Sequence, residues 1–222
     1  MSQWRALFIP LRDLNPRRRF PVVTVVLIVI NTGLFLLGLA LGEDGRRVLV
    51  LTGGAIPFEV THLVDLPPAN LTPPPWGVLT SMFLHAGVLH LVGNMWFLWL
   101  FGDNVEDALG PARFSAFYFF TGIAGALAQC FAMPGSRLPM IGASGAVAGM
   151  LGAYVVLFPR ARIVTFVFLI VFIDRVAVPA WFFLGAWLVG QFFLGDDSNV
   201  AWIAHVGGFL SGAGTVRLLA RR

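Results

Sequence analysis

The chain has 222 residues, 58% hydrophobic and only 12% charged, with a mean hydropathy of +0.83 and a formal net charge of +4. So few charges cannot keep that much apolar surface dissolved, so a water-soluble domain is excluded and lipid is the implied surrounding. All fifteen basic residues are arginine, clustered at the ends of apolar runs rather than along a face interleaved with aromatics, which excludes nucleic acid as a partner.

In chain order, residues 1–20 are polar and amphipathic and end on Arg17, Arg18 and Arg19. The apolar run 21–41 is too long for a signal-peptide core and no small-residue cleavage site follows it, so it reads as a retained first span. A polar, proline-rich stretch at 42–76 comes next, too long to be a passive connector. Further spans are expected at 80–101, 112–133, 144–158, 177–194 and 200–219. The predicted fold class is therefore an all-α membrane protein, a six-helix bundle over 21–219 with tails at 1–20 and 220–222.

Arginine placement sets the orientation. Arg5, Arg12 and Arg17 to Arg19, Arg160 and Arg162, and Arg217, Arg221 and Arg222 fall on one face, against Arg46, Arg47 and Arg137 on the other. The positive-inside rule then puts both termini in the cytoplasm, as in a multi-pass protein of a prokaryotic plasma (inner) membrane. Segment 163–173 fits this scheme least. It is apolar but too short to span, and either lies at the cytoplasmic interface or folds back as a short hairpin; if it did cross, seven spans would result.

Strongly polar residues at membrane depth are costly and mark function by default. His90 and Asn94 are four apart and share a helix face, as donors for a buried negative charge or as interhelical glue. Ser144, within Gly142-Ala143-Ser144-Gly145, opens an apolar helix after a loop; free N–H groups there favour anions and the glycines permit close approach. Alone, such a string is also ordinary small-residue packing. His205 stands before Gly208 and Gly212, a small-residue face that matches Gly145 and Gly149. Packing those faces together would bring a histidine base to a serine nucleophile.

Taken in order, His85-x4-His90-x3-Asn94, Gly142-Ala143-Ser144-Gly145 and Ala204-His205-x2-Gly208-x3-Gly212 resemble the rhomboid family of intramembrane serine proteases, over nearly the whole chain. Trp76 to His85 looks like the end of the family's first loop, and Glu106 and Gly110 match family positions. The resemblance implies that Ser144 is the nucleophile and His205 the general base, with His90, Asn94 and the Ser144 N–H as the oxyanion hole. His85 would brace the first loop. The implied substrates are single-span or polytopic membrane proteins arriving sideways from the lipid bilayer, past a gate of Phe97 against Phe183 and Trp187. The short polar stretch 195–199, joining the fifth span to the sixth, is expected to be a lid on the outer aqueous side. Two positions depart from the family. Ala148 stands where an aromatic usually packs on the histidine ring, and Gly77 where Arg usually follows Trp76.

No metal or cofactor is expected. His-Glu-x-x-His is absent, Asp174 is the only candidate for an aspartyl pair, and Cys130 is the sole cysteine. The principal alternative is a catalytically inactive rhomboid-like protein that binds membrane helices. A transporter would need paired intramembrane charges or broken helices in related halves, and neither is found.

Overall fold

A computed structural model of the chain describes residues 7–67, 70, 73–169, 172–193 and 200–220. It is mostly helical. Strand β1 (Leu7–Asp13) precedes α1 (Val22–Ala40), α2 (Gly42–Gly53) and α3 (Pro57–His62); α4 (Gly77–Thr80) is flanked by 3-10 turns at Pro74–Trp76 and Ser81–Phe83. Then come α5 (Val88–Leu109), α6 (Pro111–Ala132), α7 (Ser144–Leu157), β2 (Arg162–Leu169), β3 (Phe172–Pro179), α8 (Ala180–Gln191) and α9 (Trp202–Leu219).

Among the described residues, α1 and α6 are long and apolar enough to cross a membrane, and α5 passes the same test together with the short helices before it. Those short helices meet α5 at 80°, so the run expected at 80–101 is not one helix. The backbone is extended at Leu84 and again at Gly87, and α5 starts on a new axis at Val88. At its other end Gly110 takes φ 80°, a conformation that glycine adopts readily, and Pro111 opens α6. One turn earlier, the buried Glu106 carboxylate accepts from the N–H groups of Val23 (2.9 Å) and Thr24 (2.8 Å) and from the Thr24 hydroxyl (2.8 Å). It thereby caps α1, whose first amides have no acceptor within their own helix and whose dipole favours an anion.

Helix α7 is the core of the bundle, with every residue from Gly145 to Tyr154 buried. It packs backbone to backbone on α9: a Cβ at Gly208 would collide with the Gly145 carbonyl, and one at Gly212 with the Gly149 carbonyl. The glycine faces read from the sequence are therefore the contact that sets the α7–α9 spacing.

The all-α expectation needs correcting. Residues 163–169 and 172–173 belong to two antiparallel strands, and β1 from the amino-terminal tail joins them to make a three-stranded sheet in the order β1–β2–β3. The cause is local. Ile163 to Val167 is rich in β-branched and aromatic residues, and Ile163, Thr165 and Val167 are buried while Val164 and Phe166 are less so. Pro10 is tolerated in β1 because the register shifts between it and Arg12. The strand is tied to the bundle by Trp96 Nε1, which donates to the Pro10 carbonyl (2.8 Å). It is also tied by Asp13, whose carboxylate accepts from Asn104 Nδ2 (2.7 Å) and the Tyr154 hydroxyl (2.8 Å). β3 runs on to Pro179, so α8 begins at Ala180 rather than 177, its first N–H donating to the Ala161 carbonyl (2.9 Å).

Candidate active site

Ser144 is the first residue of α7, so it sits where helix N–H groups lack intrahelical acceptors. The loop before it is stitched down on two sides. Ala55 and Met140 exchange backbone hydrogen bonds of 3.0 and 2.8 Å, and Phe58 N–H donates to the Ser136 carbonyl (2.9 Å), which fixes the loop to the 42–76 stretch. Gly142 N–H donates to the Ser81 carbonyl (2.9 Å), which fixes it to the turn before α5. The long polar stretch is thus a brace for the loop that leads into Ser144.

Gly142 takes φ 128°. A Cβ there would stand 2.7 Å from His90 Nε2 and 3.6 Å from Ser144 Oγ. Glycine at this position satisfies the backbone and keeps open the space between the imidazole and the hydroxyl.

Across the α7–α9 contact, Ser144 Oγ lies 2.8 Å from His205 Nε2. The other ring nitrogen, Nδ1, lies 2.6 Å from Gln191 Oε1 at the end of α8. The Trp187 ring, one turn earlier on α8, is tilted beside the His205 ring with centroids 6.0 Å apart, and also stacks on Phe209 (6.4 Å). Gln129 Oε1 on α6 accepts the Ala204 N–H (3.2 Å), which holds the start of α9 in place. His205 is therefore fixed from three helices.

The two residues expected to line an oxyanion hole differ in placement. His90 presents Nε2 to the Gly142 space beside Ser144. The buried Asn94 donates through Nδ2 to the His90 carbonyl (2.9 Å), which leaves its second amide hydrogen uncommitted in that bond. His85 is buried and meets His90 edge to face, centroids 5.1 Å apart. Phe97 pairs with Phe101 on its own helix (5.8 Å), and no ring pairing of Phe97 with Phe183 or Trp187 occurs among the described residues. The loop 195–199 lies outside the described residues.

Sequence reasoning missed Gln191 and Gln129. The criterion that found His90 and His205, a costly polar group inside an apolar run, covers amides as well and would have singled out both. A cavity beside Ser144 is lined by small groups, among them Gly122, Ala126, Gly145 and Ala204, with Met82 at one wall. Among the described residues, no group of three or more His, Cys, Asp or Glu side chains converges as metal ligands would.

The Rhomboid domain family matches residues 73–222. The chain is 35% identical over 153 residues to the mitochondrial Rhomboid protein 1 of Saccharomyces cerevisiae, covering 61% of this chain and 39% of that protein. It is 42% identical over 78 residues to the Rhomboid protease GluP of Bacillus subtilis, covering 35% of this chain and 15% of that one. It is also 39% identical over 79 residues to the Inactive RHOMBOID-like protein 8 of Arabidopsis thaliana, covering 35% and 22%. The chain thus spans well under half the length of these curated relatives.

Proposed function

The chain belongs to the rhomboid family, and on that premise we propose that it is an intramembrane serine endopeptidase that cuts transmembrane helices of membrane proteins near the outer face. The observation that carries the reading is the 2.8 Å approach of Ser144 Oγ to His205 Nε2. At that distance the imidazole takes the hydroxyl proton as Oγ attacks the scissile carbonyl. His205 returns the proton to the leaving amine, and water then hydrolyses the acyl-enzyme by the same route. His90, Asn94 and the Ser144 N–H are the donors for the developing oxyanion, where preorganised hydrogen bonds in a dry site act most strongly.

The bundle crosses the membrane six times with both termini in the cytoplasm, the arrangement the arginine bias favours in a prokaryotic plasma membrane. α7 has 14 residues and rises about 21 Å, short of the roughly 30 Å hydrocarbon core. With its arginine-flanked end at the cytoplasmic face, its Ser144 end lies below the outer surface, reached by water from outside and by substrate from lipid. A peptide bond inside a helix is shielded by its own hydrogen bonds, so preferred substrates carry Gly, Pro or small residues where they unwind.

A second reading, a family member that binds membrane helices without cutting them, has one observation in its favour: the similarity to a relative named inactive. One experiment separates the two. The purified protein is treated with a fluorophosphonate probe and, in parallel, with a transmembrane reporter, alongside Ser144→Ala and His205→Ala. Labelling and cleavage that vanish in Ser144→Ala support the peptidase. Wild-type protein that neither labels nor cleaves sinks it.

A further inference from the structure

We propose that Gln191 is the positioning residue of the catalytic base, holding His205 in the tautomer that carries its proton on Nδ1. This rests on the peptidase reading above, and it answers what orients the imidazole when Ala148 supplies no aromatic ring.

The hydrogen-bond directions leave little freedom. Gln191 is buried, and its Nε2 donates to the Trp187 carbonyl one turn back (3.1 Å). A carbonyl only accepts, so the amide nitrogen must face Trp187 and Oε1 must face His205. Flipping the amide would set two acceptors against each other at 3.1 Å and lose that bond. Oε1 is then the acceptor 2.6 Å from Nδ1, so Nδ1 is the ring nitrogen that carries the hydrogen. Nε2 is left with its lone pair towards Ser144, 2.8 Å from the hydroxyl. Donation runs in one direction through all three bonds, from Ser144 to His205 to Gln191 to the Trp187 carbonyl.

Trp187 and Gln191 are four apart and share one face of α8, turned to α9. One covers the His205 ring and the other fixes its rotation. In a serine–histidine–aspartate site the acid holds the tautomer and also stabilises the imidazolium. A neutral amide does the first fully and the second only through its dipole, and it avoids placing a full charge inside an apolar bundle.

The test uses the full chain in detergent or nanodiscs. Gln191→Leu should lower kcat on a transmembrane reporter about 10- to 100-fold, the scale of a misplaced catalytic group, with KM unchanged. Gln191→Glu keeps an acceptor at Nδ1 and should rescue turnover. The added negative charge should also move the acid limb of its pH–rate profile to higher pH. A merely structural role would lower the yield of folded protein and leave that limb in place. Nitrogen-15 spectra of the His205 ring in the wild type should show Nδ1 protonated and Nε2 bare, and Gln191→Leu should move protons to Nε2. Wild-type kcat in Gln191→Leu, an unmoved limb in Gln191→Glu, or a wild-type ring protonated on Nε2 would each overturn the assignment. If the wild type neither cleaves nor labels, the peptidase reading falls, while the ring spectra still decide the role of Gln191.

Discussion

Gly208→Ala tests whether the α7–α9 contact sets the distance between Ser144 and His205. The added Cβ would fall inside the Gly145 carbonyl oxygen, so ordinary contact returns only if the two helices separate by about 1 Å there. Gly208 is three residues from His205, and Gly145 adjoins Ser144, so little of that displacement can be absorbed before it reaches the dyad. The 2.8 Å approach of Oγ to Nε2 would then open beyond hydrogen-bond range. An error of this size costs on the order of 100-fold in turnover. The overpacking should cost about 1–3 kcal/mol of stability. Gly214→Ala is the control, since a Cβ there meets nothing within 4 Å. Rates are read on a transmembrane reporter and stability from thermal unfolding in detergent. If Gly208→Ala turned over at the wild-type rate with an unchanged Tm, the glycine contact would not govern the site.

Three further outcomes are expected. Ala148 is fully buried in the core and His205 is already braced from α8, so Ala148→Phe should overpack and destabilise by about 1–3 kcal/mol rather than raise activity; thermal unfolding decides. Glu106→Ala removes the acceptor of three hydrogen bonds at the start of α1 and should cost about 2–3 kcal/mol, with Glu106→Gln losing less. Burial lifts Asp13 to about 6, against the donor hydrogen bond from Tyr154, and the nearby Asp103 charge adds to the rise. Because the folded value lies above the unfolded one, the fold binds the extra proton, and stability from this group declines between about pH 4 and pH 6 and is flat above. Asp13→Asn should flatten that stretch of a Tm-against-pH curve, and an unaltered slope would assign the dependence elsewhere.

The Ser144–His205 pairing was legible because its signal is chemical and local. A serine and a histidine inside apolar runs are expensive, and the glycines at spacing four beside each can be read without knowing the fold. Membrane composition likewise announced apolar helices. The sheet was hidden for two physical reasons. In an apolar protein the strand period is masked, since both faces of 163–167 are hydrophobic or nearly so. Its partner is also remote, supplied by a tail whose arginines are equally suited to lipid headgroups. Gln191 escaped for a different reason: an amide near the end of an apolar run carries no titratable signature, and its role exists only when α8 and α9 are laid together.

Trp187 shows how an expectation changes once neighbours are known. The sequence alone predicts a gate aromatic facing α5 across the lipid path. In the fold its ring lies beside His205 and Phe209. Its replacement therefore perturbs the His205 ring first, whatever it does to access. Phe97 is different: its ring pairs only with Phe101 on its own helix among the described residues, so shortening it frees space without touching the dyad. If lateral opening past α5 limits the reaction, Phe97→Ala should speed cleavage of a membrane-embedded substrate and leave hydrolysis of a small soluble ester unchanged. Trp187→Ala should slow both, since both reactions need the same oriented imidazole. A rigid shift of α8 is also a poor way to open, because it would draw Gln191 away from Nδ1 as it made room. Should Phe97→Ala accelerate the ester as much as the helix, or Trp187→Ala accelerate either, the division between an access side at α5 and a bracing side at α8 would be wrong.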